Sequence, residues 1–230
     1  MKKAISALIL LLLVGCGGKS FTKNPIDVLV KNMSNLESFS IILYDMEEKG
    51  MFFKNYYHQY KVIKEVNGEI KSETTDWLEV SKSYFFSNEN NMGMELVSKV
   101  KGGKLNKIAS PPGYSGYVGN SRYGEWRSSG GNSFWVFYGQ YAMLSHLLNM
   151  NSYPVYRTGW NDYDRNYRSN RPYYGKTNKD GSRAYGSRST FAKKTNPNSR
   201  WNTKFNKVKR SSSRYNSRSG SRSRSRGFGK

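Results

Sequence analysis

The chain of 230 residues contains one cysteine, two histidines and six prolines. A single cysteine excludes an intramolecular disulfide framework, a thiolate zinc site and an iron–sulfur cluster. The two histidines, His58 and His146, stand far apart and share no metal-ligand spacing, so no metal and no non-covalent cofactor is expected. There is no apolar run of about twenty residues that could cross a bilayer as a helix. Acid is scarce at one end: after Asp180 there are fifteen Lys or Arg and no Asp or Glu.

No catalytic motif fills these gaps. Gly113-Tyr114-Ser115-Gly116-Tyr117 fails the Gly-x-Ser-x-Gly pattern of a nucleophile elbow at its last position, and Ser115 reads as a loop serine. A Gly-x-x-x-x-Gly-Lys-Ser phosphate loop is missing, and Gly113, Gly116 and Gly119 follow Pro111-Pro112 where a phosphate-binding turn would follow a strand. Glu47, Glu48, Asp76 and Glu79 are the kind of acids found on solvated strands and turns, and catalysis by a pair of them is not expected. The catalytic set is therefore empty and the protein is read as a non-enzyme.

What is present is charge, unevenly placed. The formal net charge is +22. Residues 1–150 hold 17 basic and 13 acidic residues, whereas 151–230 hold 21 basic and 3 acidic ones. An acidic partner is implied.

The amino terminus carries an address. Lys2 and Lys3 precede Ala4–Val14, eleven residues apolar but for Ser6, and Leu13-Val14-Gly15-Cys16 follows at once. This resembles a bacterial lipoprotein signal peptide with its lipobox. The resemblance implies that residues 1–15 are removed and that Cys16 is thioether-linked to diacylglycerol, with the new amino group open to acylation as well. It also implies a tether over 16–24 and a place on the cell membrane or outer membrane, facing the periplasm or the exterior. Gly17, where an inner-membrane retention signal would have Asp, favours the outer membrane by the same resemblance. An ordinary secretory signal with an incidental cysteine is the plainer alternative.

Residues 25–150 read as an α+β domain. Asn24-Pro25 supplies an N-cap and a first-turn proline, and Ile26, Leu29, Val30, Met33 and Leu36 recur at helical spacing. Alternating apolar residues then predict an antiparallel meander, with strands over 38–46 and 51–66. Asn67-Gly68 is a hairpin turn into a strand at 69–74. Further strands are expected over 76–80, 84–87, 94–101 and 104–108. Residues 109–132 form a long Gly-rich loop in which Tyr114, Tyr117, Tyr123 and Trp126 either dock on the sheet or present a ligand surface for a sugar or peptide. Residues 133–150, with Phe134, Phe137, Tyr141, Leu144 and Leu148 on one face, predict an apolar helix packed on the sheet or lying on the bilayer.

Residues 151–230 read as a low-complexity, disordered basic tail of Tyr, Arg, Ser and Gly, because so much self-repulsion and so few aliphatic residues do not offset backbone entropy. Its cations are the candidate contacts to an anionic polymer: Arg157, Arg165, Arg168, Arg171, Arg183, Arg188, Lys193, Lys194, Arg200, Lys204, Lys207, Lys209, Arg210, Arg214, Arg218, Arg222, Arg224 and Arg226. The last of these lie in Arg-Ser repeats that resemble eukaryotic RNA-binding tails in composition only. For an exported protein the expected partners are the membrane, through its lipid anchor, and an anionic envelope polymer or lipid headgroups; nucleic acid is expected only outside the cell. The arrangement as a whole is loosely similar to bacterial envelope proteins of unassigned function, which assigns no residue roles. The alternative is a ligand-binding or assembly module built on the loop 111–132 and the sheet.

Overall fold

The computed structural model describes residues 24–204 apart from Asn178 and Asp180; Cys16, the signal sequence and the cations from Lys207 to Arg226 lie outside the described residues. The fold is α+β, with an antiparallel five-stranded main sheet and short helices. Helix α1 (Pro25–Asn32) begins as the sequence predicts: Asn24 is the N-cap, its Oδ1 accepting from the Ile26 amide at 3.2 Å, and Pro25 occupies the first turn.

Strands β1 (Phe39–Lys49), β2 (Asn55–Val66) and β3 (Glu69–Thr74) form the meander, with β4 (Leu78–Val80) pairing with the far end of β2. Asn67 and Gly68 have φ of 53° and 81°, the pair of positive values that a tight two-residue hairpin turn requires. Strand β5 (Glu95–Lys99) runs along the other edge of β1, giving the order β3-β2-β1-β5. Residues 84–87, expected as a strand, instead belong to helix α2 (Lys82–Ser87), because the Ser81 hydroxyl accepts from the Tyr84 amide at 3.2 Å and starts a helical turn. Residues 104–108 make only an isolated bridge, Asn106 to Ser98.

The centre of the sheet, β1 and much of β2, is covered on both faces, with side chains alternating between two cores, while β3 is largely exposed. Phe39, Ile41 and Leu43 of β1, with Tyr56, Tyr60 and Val62 of β2, face α1 and α2. Ile42 and Ile63 face a second, aromatic core. A bulge between Leu43 and Asp45 resets the alternation, so that Met46 rejoins the first core.

The second core corrects the reading of 133–150. Strands β6 (Gly124–Ser129) and β7 (Asn132–Phe137) form a hairpin, followed by a 3₁₀ turn (Gly139–Tyr141) and the short helix α3 (Ala142–Leu147). Gly130 and Gly131 both have positive φ and close the hairpin, so period-two pairing prevails over the helical spacing of the apolar residues. Phe137, Tyr141, Leu144 and Leu148 are buried, but by two elements.

The largest correction concerns the described residues between 151 and 204, read from composition as part of a disordered tail: they are folded. Helix α4 (Arg157–Asn166) buries Tyr163, and helix α5 (Thr190–Thr195) buries Phe191 and Ala192. Trp201, 4% exposed, packs edge-on against Phe85 of α2 with ring centroids 5.0 Å apart. Aromatic side chains replace the missing aliphatic ones: a few large rings, each removing much surface from water, seat a segment whose average composition reads as disordered.

A single buried carboxylate fixes the end of this segment. Asp45, 4% exposed, accepts from the Ser199 hydroxyl at 2.8 Å and the Arg200 amide at 2.9 Å, and from its own neighbour Met46 at 2.8 Å. It caps the helical turn that starts at residue 200. Replacing Asp45 by Ala leaves these buried donors unpaired, a cost of about 3 kcal/mol. Urea denaturation of D45A should show the matching fall in midpoint, and among the described residues limited trypsin digestion should cut first between Arg188 and Lys204. An unchanged midpoint with unchanged protection would contradict this role.

Candidate anion-binding face

Helix α4 is amphipathic in an unusual sense, since its inner face is aromatic. Tyr163 points into the second core, against Tyr114 and Tyr173, while Arg157 and Arg165 point out and Trp160 lies half-buried between. Trp160 sits against Gly119, whose φ of +78° and absent side chain let the indole approach; a Cβ there would lie 2.2 Å from Trp160 Cζ2. The indole N–H donates to the Tyr114 carbonyl at 3.3 Å.

The rings that seat the segment also carry its cations. Arg157 lies over Trp126 at 5.9 Å and Arg168 over Trp160 at 5.7 Å. Arg171 lies over Tyr167 at 4.4 Å, Arg183 over Tyr174 at 4.5 Å and Lys194 over Tyr153 at 5.7 Å. Arg200 covers Trp77 at 5.0 Å and Lys204 covers Trp201 at 5.7 Å. At exposed positions each such contact contributes only about 0.5–1 kcal/mol. Its larger effect is to hold a long side chain in place with its N–H groups facing solvent, which lowers the entropy cost of meeting an anion.

All ten candidate cations among the described residues, Arg157 to Lys204, are exposed. Arg168 is paired with Asp164 at 2.6 Å and also donates to the Ser115 carbonyl at 3.2 Å. Arg200 is paired with Glu47 at 2.6 Å, and Lys204 with Glu48. Arg157, Arg165, Arg171, Arg183, Lys193 and Lys194 form no ion pair among the described residues, so their charge is available to a partner. The long-range pairing of Arg200 with Trp77 left no signal in the sequence, because the two positions meet only through the capping by Asp45.

The four aromatics proposed as a ligand surface are placed differently. Tyr114, Tyr117 and Tyr123 are 4%, 0% and 0% exposed, and Trp126 is half-buried between Trp135 and Trp160. Stacking on a sugar needs open ring faces, and these rings are used by the core. The loop does dock on the sheet. Tyr123 shares a hydrogen bond of 2.8 Å with Ser38 at the start of β1, and Arg122 pairs with Glu65 at 3.0 Å.

The loop is tied down by a buried acid that sequence reading overlooked. Glu95, 1% exposed, accepts from the Ser40 hydroxyl at 2.5 Å, the Gly113 amide at 3.1 Å and the Ser115 hydroxyl. Burial raises its pKa, and these donors oppose the rise. Ser115 shares a further hydrogen bond with Ser98 and borders an open groove of about 510 Å³ with Trp160 and Arg168. With its carboxylate enclosed and occupied on both oxygens, Glu95 acts as a clasp for the loop.

Of the acids weighed for catalysis, Glu47 pairs with Lys49 and Arg200, and Glu48 with Lys54 and Lys204. No group of three or more potential metal ligands occurs among the described residues. His146 is exposed on α3. His58, fully buried on β2, bonds Tyr60 Oη through Nδ1 at 3.0 Å and packs against the rings of Tyr84 and Phe85.

Burial pushes His58 down from 6.5 to about 3, so the folded chain holds it neutral. Its contribution to stability is full above about pH 6.5 and is lost as pH falls from there toward 3. The raised Glu95 has the opposite sign, stabilising below the ordinary carboxylate range and losing that stabilisation as pH rises through its shifted value. Thermal melts of the protein and of His58→Gln should therefore diverge at neutral pH and converge as pH drops below about 6, whereas a pH-independent gap would contradict the assignment.

No family model matches this chain, and neither a curated protein nor a solved structure does.

Proposed function

We propose that this is a lipid-anchored, non-enzymatic envelope protein that uses its basic C-terminal region, residues 151–230, to hold an anionic envelope polymer or membrane surface. The observation that carries the reading is the set of exposed Arg and Lys side chains stacked on Trp and Tyr rings of a folded segment. Such cations approach an extended polyanion already ordered. The anion is met by guanidinium groups, which suit phosphate and carboxylate oxygens through paired N–H donors. The cations beyond Lys204 extend the reach of the same charge, and the lipobox accounts for the export and the attachment at Cys16.

Phe191 and Trp201 belong to the core, so the test must remove charge and leave the chain intact. Co-sedimentation of the mature protein with teichoic acid, lipopolysaccharide, peptidoglycan, anionic vesicles and DNA should show binding to at least one at low salt, fading as salt rises. Changing Arg157, Arg165, Arg171 and Arg183 together to Gln should weaken that binding by about tenfold or more, since charge-assisted contacts contribute on the order of 1 kcal/mol each. Truncation after Lys204 separates the share of the terminal cations. Binding that is indifferent to salt and to the four substitutions would overturn the proposal.

A further inference from the structure

The turn between β1 and β2 breaks the usual rule for exposed side chains. Met51, Phe52 and Phe53 are 85%, 88% and 91% exposed, three consecutive large apolar residues at the tip of the longest hairpin. The conformation is set by Gly50, whose φ is +102° and where a Cβ would lie 1.9 Å from the Phe53 carbonyl oxygen. Only glycine permits this turn, and the turn directs the apolar residues outward. Phe86 of α2, 41% exposed and packed against Tyr56 at the base of the hairpin, adds apolar surface at the same end.

Three further features converge there. Cations outnumber acids around the tip: Lys49 and Lys54 flank it, paired with Glu47 and Glu48, Lys82 lines a hollow with Phe52, Phe53 and Glu79, and Arg200 and Lys204 pair with the same Glu47 and Glu48 just below it, five basic side chains against three acidic ones. The chain passes out of the described residues at Lys204, so the nine Lys and Arg that follow start from this end. The described chain also begins near this end. Asn24 lies beside Tyr84, which packs on His58, three residues along β2 from the base of the tip. Eight peptide steps separate Asn24 from Cys16, an extended reach of about 26–29 Å.

We infer that the Met51-Phe52-Phe53 tip inserts into the anionic bilayer that holds the anchor. A bilayer fits an apolar tip ringed by cations, with rings in the interfacial region and ammonium groups at the headgroups. The docking orients the domain. The tip faces the membrane, and Arg168 with Trp160, beside the β5 end of the sheet near Val100 and Gly103, faces away from it. The inference rests in part on the lipid-anchored reading above, and its test does not use the anchor.

The test takes the mature chain, residues 16–230, with Cys16→Ser, and places an environment-sensitive fluorophore on Phe52→Cys or, at the opposite end of the sheet, on Glu69→Cys. With phosphatidylglycerol–phosphatidylethanolamine vesicles, the probe at 52 should shift to the blue and that at 69 should not. In the same chain F52S/F53S, whose substituted side chains are exposed, should lower vesicle partitioning at least about tenfold with an unchanged circular dichroism spectrum. No shift at 52, an equal shift at 69, or a shift at 52 that grows with protein concentration without vesicles would overturn the inference, the last indicating a second copy of the chain. Palmitate labelling of the unmodified protein in cells tests the anchor separately, so that loss of the anchor reading leaves the result for the tip standing.

Discussion

The buried carboxylate of Asp45 ties the end of the described basic segment, around residues 199–201, to the main sheet. Strand β5 covers the edge of β1 only from Phe39 to Ile42. Beyond the bulge the edge would be open, and there residues 196–204 take over: Asn196 donates to the Tyr44 carbonyl at 3.2 Å, Asp45 gathers Ser199 and Arg200, and Glu47 and Glu48 meet Arg200 and Lys204. An exposed strand edge is thus protected by a segment rich in cations. The arrangement also orders Trp201 against Phe85 and delivers Arg200 to Trp77.

The consequence is a division of labour within single residue types. Tyr163 and Tyr173 fill a core, whereas Tyr167 and Tyr174 offer faces to Arg171 and Arg183. An aromatic can do both because its body is apolar and its face carries a partial negative charge. Arg171 and Arg183 then need no acid to be held in place and keep their charge for a partner. This is the physical link between an Arg- and Tyr-rich composition and the proposed grip on a polyanion.

Much of the fold could be read from local chemistry. The start of α1 followed from Asn24-Pro25, and the β2–β3 turn from Asn67-Gly68, because each depends on a few adjacent residues. The α+β class followed from the alternation along β1 and β2. Residues 133–150 misled because Phe137, Tyr141, Leu144 and Leu148 keep helical spacing across a junction between a strand and a helix. The extent of the folded region misled for a different reason: average composition hides the few positions, Tyr163, Phe191 and Trp201, at which burial is nearly complete. The clasp at Glu95 and the cap at Asp45 were not legible, since both depend on partners distant in sequence. Of the candidate site, the identity of the cations was evident and their aromatic supports were only partly so.

The described molecule has two ends with different surfaces, an apolar tip ringed by cations and, beyond the opposite end of the sheet, stacked arginines beside α4. That polarity requires residues 151–204 to be an ordered part of the domain. Hydrogen–deuterium exchange of the mature chain in solution tests this most directly. The account predicts slow exchange across α4 and through residues 190–204, comparable with the meander strands. Exchange throughout 151–204 at the rate of an unstructured chain, with the meander still protected, would contradict it.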